Sequence, residues 1–140
     1  MDQQSLRRYW RIGTSDGKIT YWDYMRSQNK VCIGWSTVGD LAKLNPKSKT
    51  ELETILRDEG YYPGHNNTIS AKATEIFNFL KNISIGDVIL AQKGVKILGI
   101  GVVAGDYEYI PSHMFSHQKR LNGKLKSLLL KIRIKDYEQL

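Results

Sequence analysis

The chain has 140 residues, one cysteine and a formal charge of +7, so it can bury a core without staples and has no internal disulfide. No run of about 18 apolar residues is present, and the N-terminus lacks the apolar stretch of a secretory signal. These features exclude a spanning helix and make a cytoplasmic setting the expectation, while the excess of Lys and Arg favours a polyanionic partner.

In chain order, residues 8–14 read as a first strand, rich in aromatics and stopped by the turn-former Ser15-Asp16-Gly17. Residues 21–28 form a short helix with Thr20 as its N-cap, and residues 30–35 a second strand. Residues 36–44 follow as a turn or short helical piece, and Asn45-Pro46 is a break. Across residues 47–59, Leu52, Ile55 and Leu56 recur at helical spacing and Gly60 closes the segment. Residues 61–68 read as a loop, after which Ser70 caps a helix whose apolar face is Ala73, Ile76, Phe77 and Leu80.

The remainder is strand-like. Residues 87–92 and 95–103 form a hairpin through Lys93-Gly94, with Gly99 and Gly101 on one strand face. Alternating glycines leave room for a close helix or for a strand crossing at a barrel corner. Residues 128–134 make a last strand. The order β-α-β-α-α-β-β-β predicts an α+β fold: a small mixed, curled β-barrel with flanking helices, as one domain over residues 1–140.

Charge is uneven. Residues 119–135 carry Lys119, Arg120, Lys124, Lys126, Lys131, Arg133 and Lys135 and no acid. With Arg7 and Arg8, the residues Lys119, Arg120, Lys124 and Lys126 are the candidate phosphate contacts of a nucleic-acid-binding surface.

Catalytic patterns are absent. There is no P-loop, dinucleotide fingerprint or nucleophile elbow, and no cluster of carboxylates that would hold a nuclease's metal. His113 and His117 stand four apart, but no Glu or Cys completes a metal site, so they read as polar loop residues. The expectation is a non-enzyme without cofactor or metal.

The aromatics are more telling, with three Trp and eight Tyr against three Phe. Trp10 reads as a core residue, while Trp22 is open between core and site. Trp35 ends a strand within Ile33-Gly34-Trp35-Ser36-Thr37, where a ring can stack a base and the hydroxyls of Ser36 and Thr37 can bond its edge.

Three segments carry a family likeness. Residues 31–41, containing Ile33-Gly34-Trp35 and Gly39-Asp40-Leu41, resemble the I-G-W-x-x-x-G-D-L segment of EVE-like domains in the PUA superfamily. Residues 83–90 and 97–109 resemble that family's later strands, so the likeness runs from about residue 8 to residue 110. Such domains stand at the N-terminus of McrB-type modification-dependent restriction ATPases. The related YTH domains read a methylated base in an aromatic cage, and Trp35-Ser36-Thr37 is similar to their W-S-T segment. The resemblance implies Tyr109 as the opposing wall with Tyr107 as substitute, Trp22 as a third wall, and Thr14, Ser15 and Asp16 at the base edge.

The reading that follows is a DNA-targeting module that flips a modified base out of duplex DNA into this pocket. Its implied partners are an AAA+ GTPase/ATPase motor domain and a nuclease subunit. An RNA-binding PUA-like domain is the alternative, and a protein-interaction or small-ligand module is a third reading.

Overall fold

A computed structural model describes residues 8–15 and 18–127, the side chains of residues 123–127 excepted. The expected strand at 128–134, Arg7, Asp16 and the side chains of Lys124 and Lys126 lie outside the described residues. The chain forms two compact units: residues 1–32, 84–106 and 119–140 make the first, and residues 33–83 and 107–118 the second.

The first unit is built on a sheet. Its strands are β1 (Tyr9–Gly13), β2 (Lys30–Ile33), β3 (Val88–Lys93), β4 (Lys96–Val103) and most of β6 (His117–Ser127), with helix α1 at Trp22–Gln28. The strand order is β1-β3-β4-β6-β2. Strand β1 runs parallel to β3, pairing Tyr9 with Val88 through Gly13 with Gln92. Parallel neighbours need a long crossover, and residues 14–87 supply it.

Strand β3 is buried over Val88-Ile89-Leu90-Ala91, as a central strand covered on both faces should be. Strand β4 alternates, burying Ile97, Gly99, Gly101 and Val103. Val88, Leu90 and Ile97 form a core cluster against Tyr9, Ile100 and Val102. The hairpin expected at Lys93-Gly94 is present, with Lys93 opposite Lys96 and Gly94 at φ 61°, the positive φ that a tight hairpin turn favours.

The barrel expectation is corrected. Strands β1 and β2 end the order, each with one neighbour in it, so the mixed sheet is neither closed nor curled into a barrel. Gly99 and Gly101 do not mark a barrel corner. Gly101 sits at a bulge, where three residues of β6 lie between Asn122 and Lys126 against the single Gly101 between Ile100 and Val102 in β4.

Trp10 behaves as a structural residue. Its indole N–H donates to the buried carboxylate of Asp87 at 2.9 Å, and Asp87 also accepts from the Ser84 N–H at 2.9 Å. Helix α1 begins one residue later than expected, although the Thr20 hydroxyl still accepts from the Trp22 N–H at 3.2 Å.

The second unit is mostly helical. It holds a 3₁₀ turn at Ser36–Val38, α2 (Leu41–Leu44), α3 (Lys49–Asp58), α4 (Asn66–Phe77), a π turn at Asn78–Asn82 and the short strand β5 (Glu108–Tyr109). Strand β5 pairs with the first two residues of β6. Ser48 caps α3 by accepting from the Glu51 N–H, Leu52 and Leu56 point inward, and Gly60 at φ 83° follows the end.

Helix α4 starts at Asn66 rather than at Ser70 and buries Ile69, Ala73 and Ile76. The π turn then changes the inward face. The Ile83 N–H reaches back five residues to Asn78 at 2.8 Å, and Phe79 is wholly buried where periodicity placed Leu80.

Candidate functional site

The second unit gathers an aromatic network around Trp35. Strand β2 ends at Ile33, and Trp35 then takes a left-handed backbone conformation with φ 62°. Tyr62, in the loop between α3 and α4, does the same at φ 49°. Bulky side chains avoid this region, and the strain, about 1–3 kcal/mol each, persists only where surroundings enforce it.

The surroundings are visible. The Trp35 indole N–H donates to the Tyr62 hydroxyl at 3.0 Å. The Trp35 carbonyl accepts from the Val38 N–H at 3.2 Å and bonds the ring Nε2 of His117 at 3.0 Å. Thr37 and Tyr61 share a hydroxyl hydrogen bond of 2.7 Å, and the Tyr61 and Tyr62 rings lie 5.8 Å apart.

His117 is the hub, with no exposed surface. A carbonyl can only accept, so Nε2 carries the proton that it donates to Trp35. Nδ1 is then the acceptor for the Tyr107 hydroxyl at 2.7 Å, and that hydroxyl in turn accepts from the Leu41 N–H at 3.1 Å. Burial lowers the pKa of His117 and pushes that of the Tyr107 phenol up to about 12. Both therefore stay neutral near pH 7, and the chain of bonds keeps one direction. The Tyr107 and Tyr109 rings each lie 5.8 Å from the imidazole.

The electrostatics of this region differ from those of the whole chain. Residues 33–42, 60–71 and 107–118 contain no Lys or Arg, and their only carboxylates are Asp40 and Glu108. Asp40 caps α2 by accepting from the Ala42 N–H at 2.9 Å. The second unit as a whole holds six Lys and Arg against seven Asp and Glu, which leaves fifteen against seven for the first. A hollow of about 310 Å³, lined by Gly64, His65, Asn66, Asn67 and Thr68, opens on the residues that follow Tyr62.

Of the residues expected to line a pocket, Trp35, Ser36, Thr37, Tyr107 and Tyr109 fall together in the second unit. Thr14, Ser15 and Trp22 belong to the first unit. There Thr14 is buried and donates its hydroxyl to the Gln92 carbonyl at 3.1 Å, and Ser15 forms a bridge with Thr20.

The expected phosphate contacts belong to the first unit too, and two are occupied locally. Arg8 lies 3.7 Å from the Asp87 carboxylate and over the Trp10 ring. Lys119 is only 3% exposed, with its pKa lowered by burial against the opposing pull of Asp106 and Asp87, so its ammonium is not offered to a ligand at the surface. The exposed Arg120 packs its side chain over Gly105, where a Cβ would meet the guanidinium Nε at 3.1 Å.

Tyr61, Tyr62 and His117 were missed as site residues. A Tyr-Tyr-Pro-Gly turn was the available signal for the first two. His113 and His117 share no helix: His113 accepts from the Phe115 N–H at 3.0 Å, while both nitrogens of His117 are committed. Among the described residues no group of three His, Cys, Asp or Glu could hold a metal ion, and no helix is long and apolar enough to cross a membrane.

No curated protein and no solved structure matches the chain. A family model does match, across residues 10–135, and its family is of another description than the one the motifs resembled. The likeness to EVE-like, YTH and PUA domains is therefore corrected, by that match and by the open sheet. With it go the readings that rested on it: DNA binding, base flipping, recognition of a modified base, a place in a McrB-type restriction system, and the RNA-binding PUA-like alternative. The chain belongs to the family described as Domain of unknown function (DUF8426).

Proposed function

We propose that this chain is a non-catalytic recognition domain whose aromatic cluster at Trp35, Tyr61 and Tyr62 binds a ligand group that carries no negative charge. One observation carries the reading. Trp35 and Tyr62 are both held in left-handed backbone and joined side chain to side chain, and the buried His117 bonds the Trp35 carbonyl. A core that needed only bulk would not require two such residues. Trp and Tyr suit a half-wet site because an apolar ring ends in a polar tip, and Trp35, Tyr61 and Tyr62 are all half-buried.

The committed chemistry supports recognition over catalysis. His117 has no free nitrogen with which to act as a base. Burial raises the Cys32 thiol to about 12, so it is not a ready nucleophile. The lack of Lys and Arg in the contributing segments favours neutral or cationic ligands over phosphate.

The test is an amide chemical-shift map recorded against small anionic, neutral and cationic probes. Saturable changes confined to residues 35–40, 61–68 and 107–109, absent for the anions, are expected. Changes centred on the first unit, or none with any probe, would overturn the reading.

A further inference from the structure

The same cluster also specifies a ligand class, an inference that rests on the recognition reading above. We infer that Trp35, Tyr61 and Tyr62, with the Asp40 carboxylate, form a site for a methylated ammonium group.

Ring faces carry negative potential and attract a cation that sheds water easily, which a methylated ammonium does far better than a bare one. Trp35 bonded to Tyr62 at 3.0 Å, the Tyr61–Tyr62 ring pair at 5.8 Å and the 2.7 Å bond that anchors Tyr61 to Thr37 supply the aromatic surface. The bonds turn the polar tips toward one another, Trp35 to Tyr62 and Tyr61 to Thr37. The tips thus satisfied, the ring faces are what remains for a ligand.

Charge selects the sign. In a chain with a net charge of +7, the three contributing segments hold two carboxylates and no Lys or Arg. Asp40 follows Gly39, the C-cap of the 3₁₀ turn at Ser36–Val38, and is fixed by its own cap on α2. A phosphate or carboxylate ligand would meet no counter-charge there.

The experiment compares choline with dimethylbutanol, its uncharged isostere in which carbon replaces nitrogen. Both are titrated into the isotope-labelled chain while the Trp35 indole and the amides of residues 35–40 and 61–68 are followed. Choline should bind roughly five- to thirtyfold tighter than the isostere. Asp40→Asn keeps the helix cap and should weaken choline about threefold while leaving the isostere unchanged.

Equal affinity for the two probes at these residues would overturn the cation inference and leave the recognition reading standing. Failure of both to move these residues would overturn both.

Discussion

The two units of this chain divide charge and aromatic polarity between them. The first carries the whole of the net positive charge, and its polar contacts serve the sheet: Asp87 ties Trp10 and Ser84, while Lys119 is buried in the strand that follows them. The second is close to neutral and carries the strained Trp35 and Tyr62 with their buried histidine. A basic chain therefore need not have a basic site. The net charge of a whole chain governs solubility and long-range attraction, whereas recognition depends on the few groups whose geometry is over-determined.

The sharpest way to break this contrast is His117→Ala. It leaves a cavity and removes hydrogen-bond partners from the Trp35 carbonyl and the Tyr107 hydroxyl. A loss of about 3 kcal/mol is expected in urea unfolding, together with loss of choline binding. A loss below about 1 kcal/mol would mean that the histidine does not hold the Trp35 turn.

Asp87→Ala is the counterpart in the first unit. Stripping the acceptor from the Trp10 indole and the Ser84 N–H should cost about 2 kcal/mol. Choline affinity of the folded protein should be unchanged, and a shift in that affinity would blur the division between the units.

The pH dependence follows from His117. Burial lowers its pKa below the ordinary 6.5, so the unfolded chain takes up the proton first as pH falls. The contribution present above pH 6.5 is therefore lost as pH drops through the lowered folded value. The urea midpoint of the wild type should decline through that window, and more steeply than that of His117→Gln. Parallel profiles would show that the histidine is not the buried titrating group.

The smallest effect is backbone alone. Gly86 sits at φ 97° with open space where a Cβ would go, so Gly86→Ala should cost about 1 kcal/mol through conformation without a clash.

Much of the first unit was legible because its strands follow simple rules. The alternation of residues 95–103 and the Lys93-Gly94 turn both correspond to structure. Closure was not legible: Gly99 and Gly101 are compatible with a barrel corner or with a bulge, and only pairing with β6 decides. Strand β6 itself, His117–Ser127, escaped because its polar and charged residues hide the alternation.

In the second unit Ser48, Leu52, Leu56 and Gly60 announced α3, but the π turn after α4 has no signature that periodicity detects. Trp35, Ser36 and Thr37 stood out as site candidates by local context. Their true neighbours Tyr61, Tyr62 and His117 are 24 to 82 positions away, a proximity set by folding rather than by spacing.

The central claim is that recognition resides in the near-neutral unit, at Trp35. The chain has three tryptophans, and Trp10 and Trp22 both belong to the first unit. Their indole N–H resonances, followed together during a choline titration, test the claim most directly. A saturable shift of Trp35 with Trp10 and Trp22 unmoved is the predicted result. Movement of Trp10 or Trp22 with Trp35 still would contradict it.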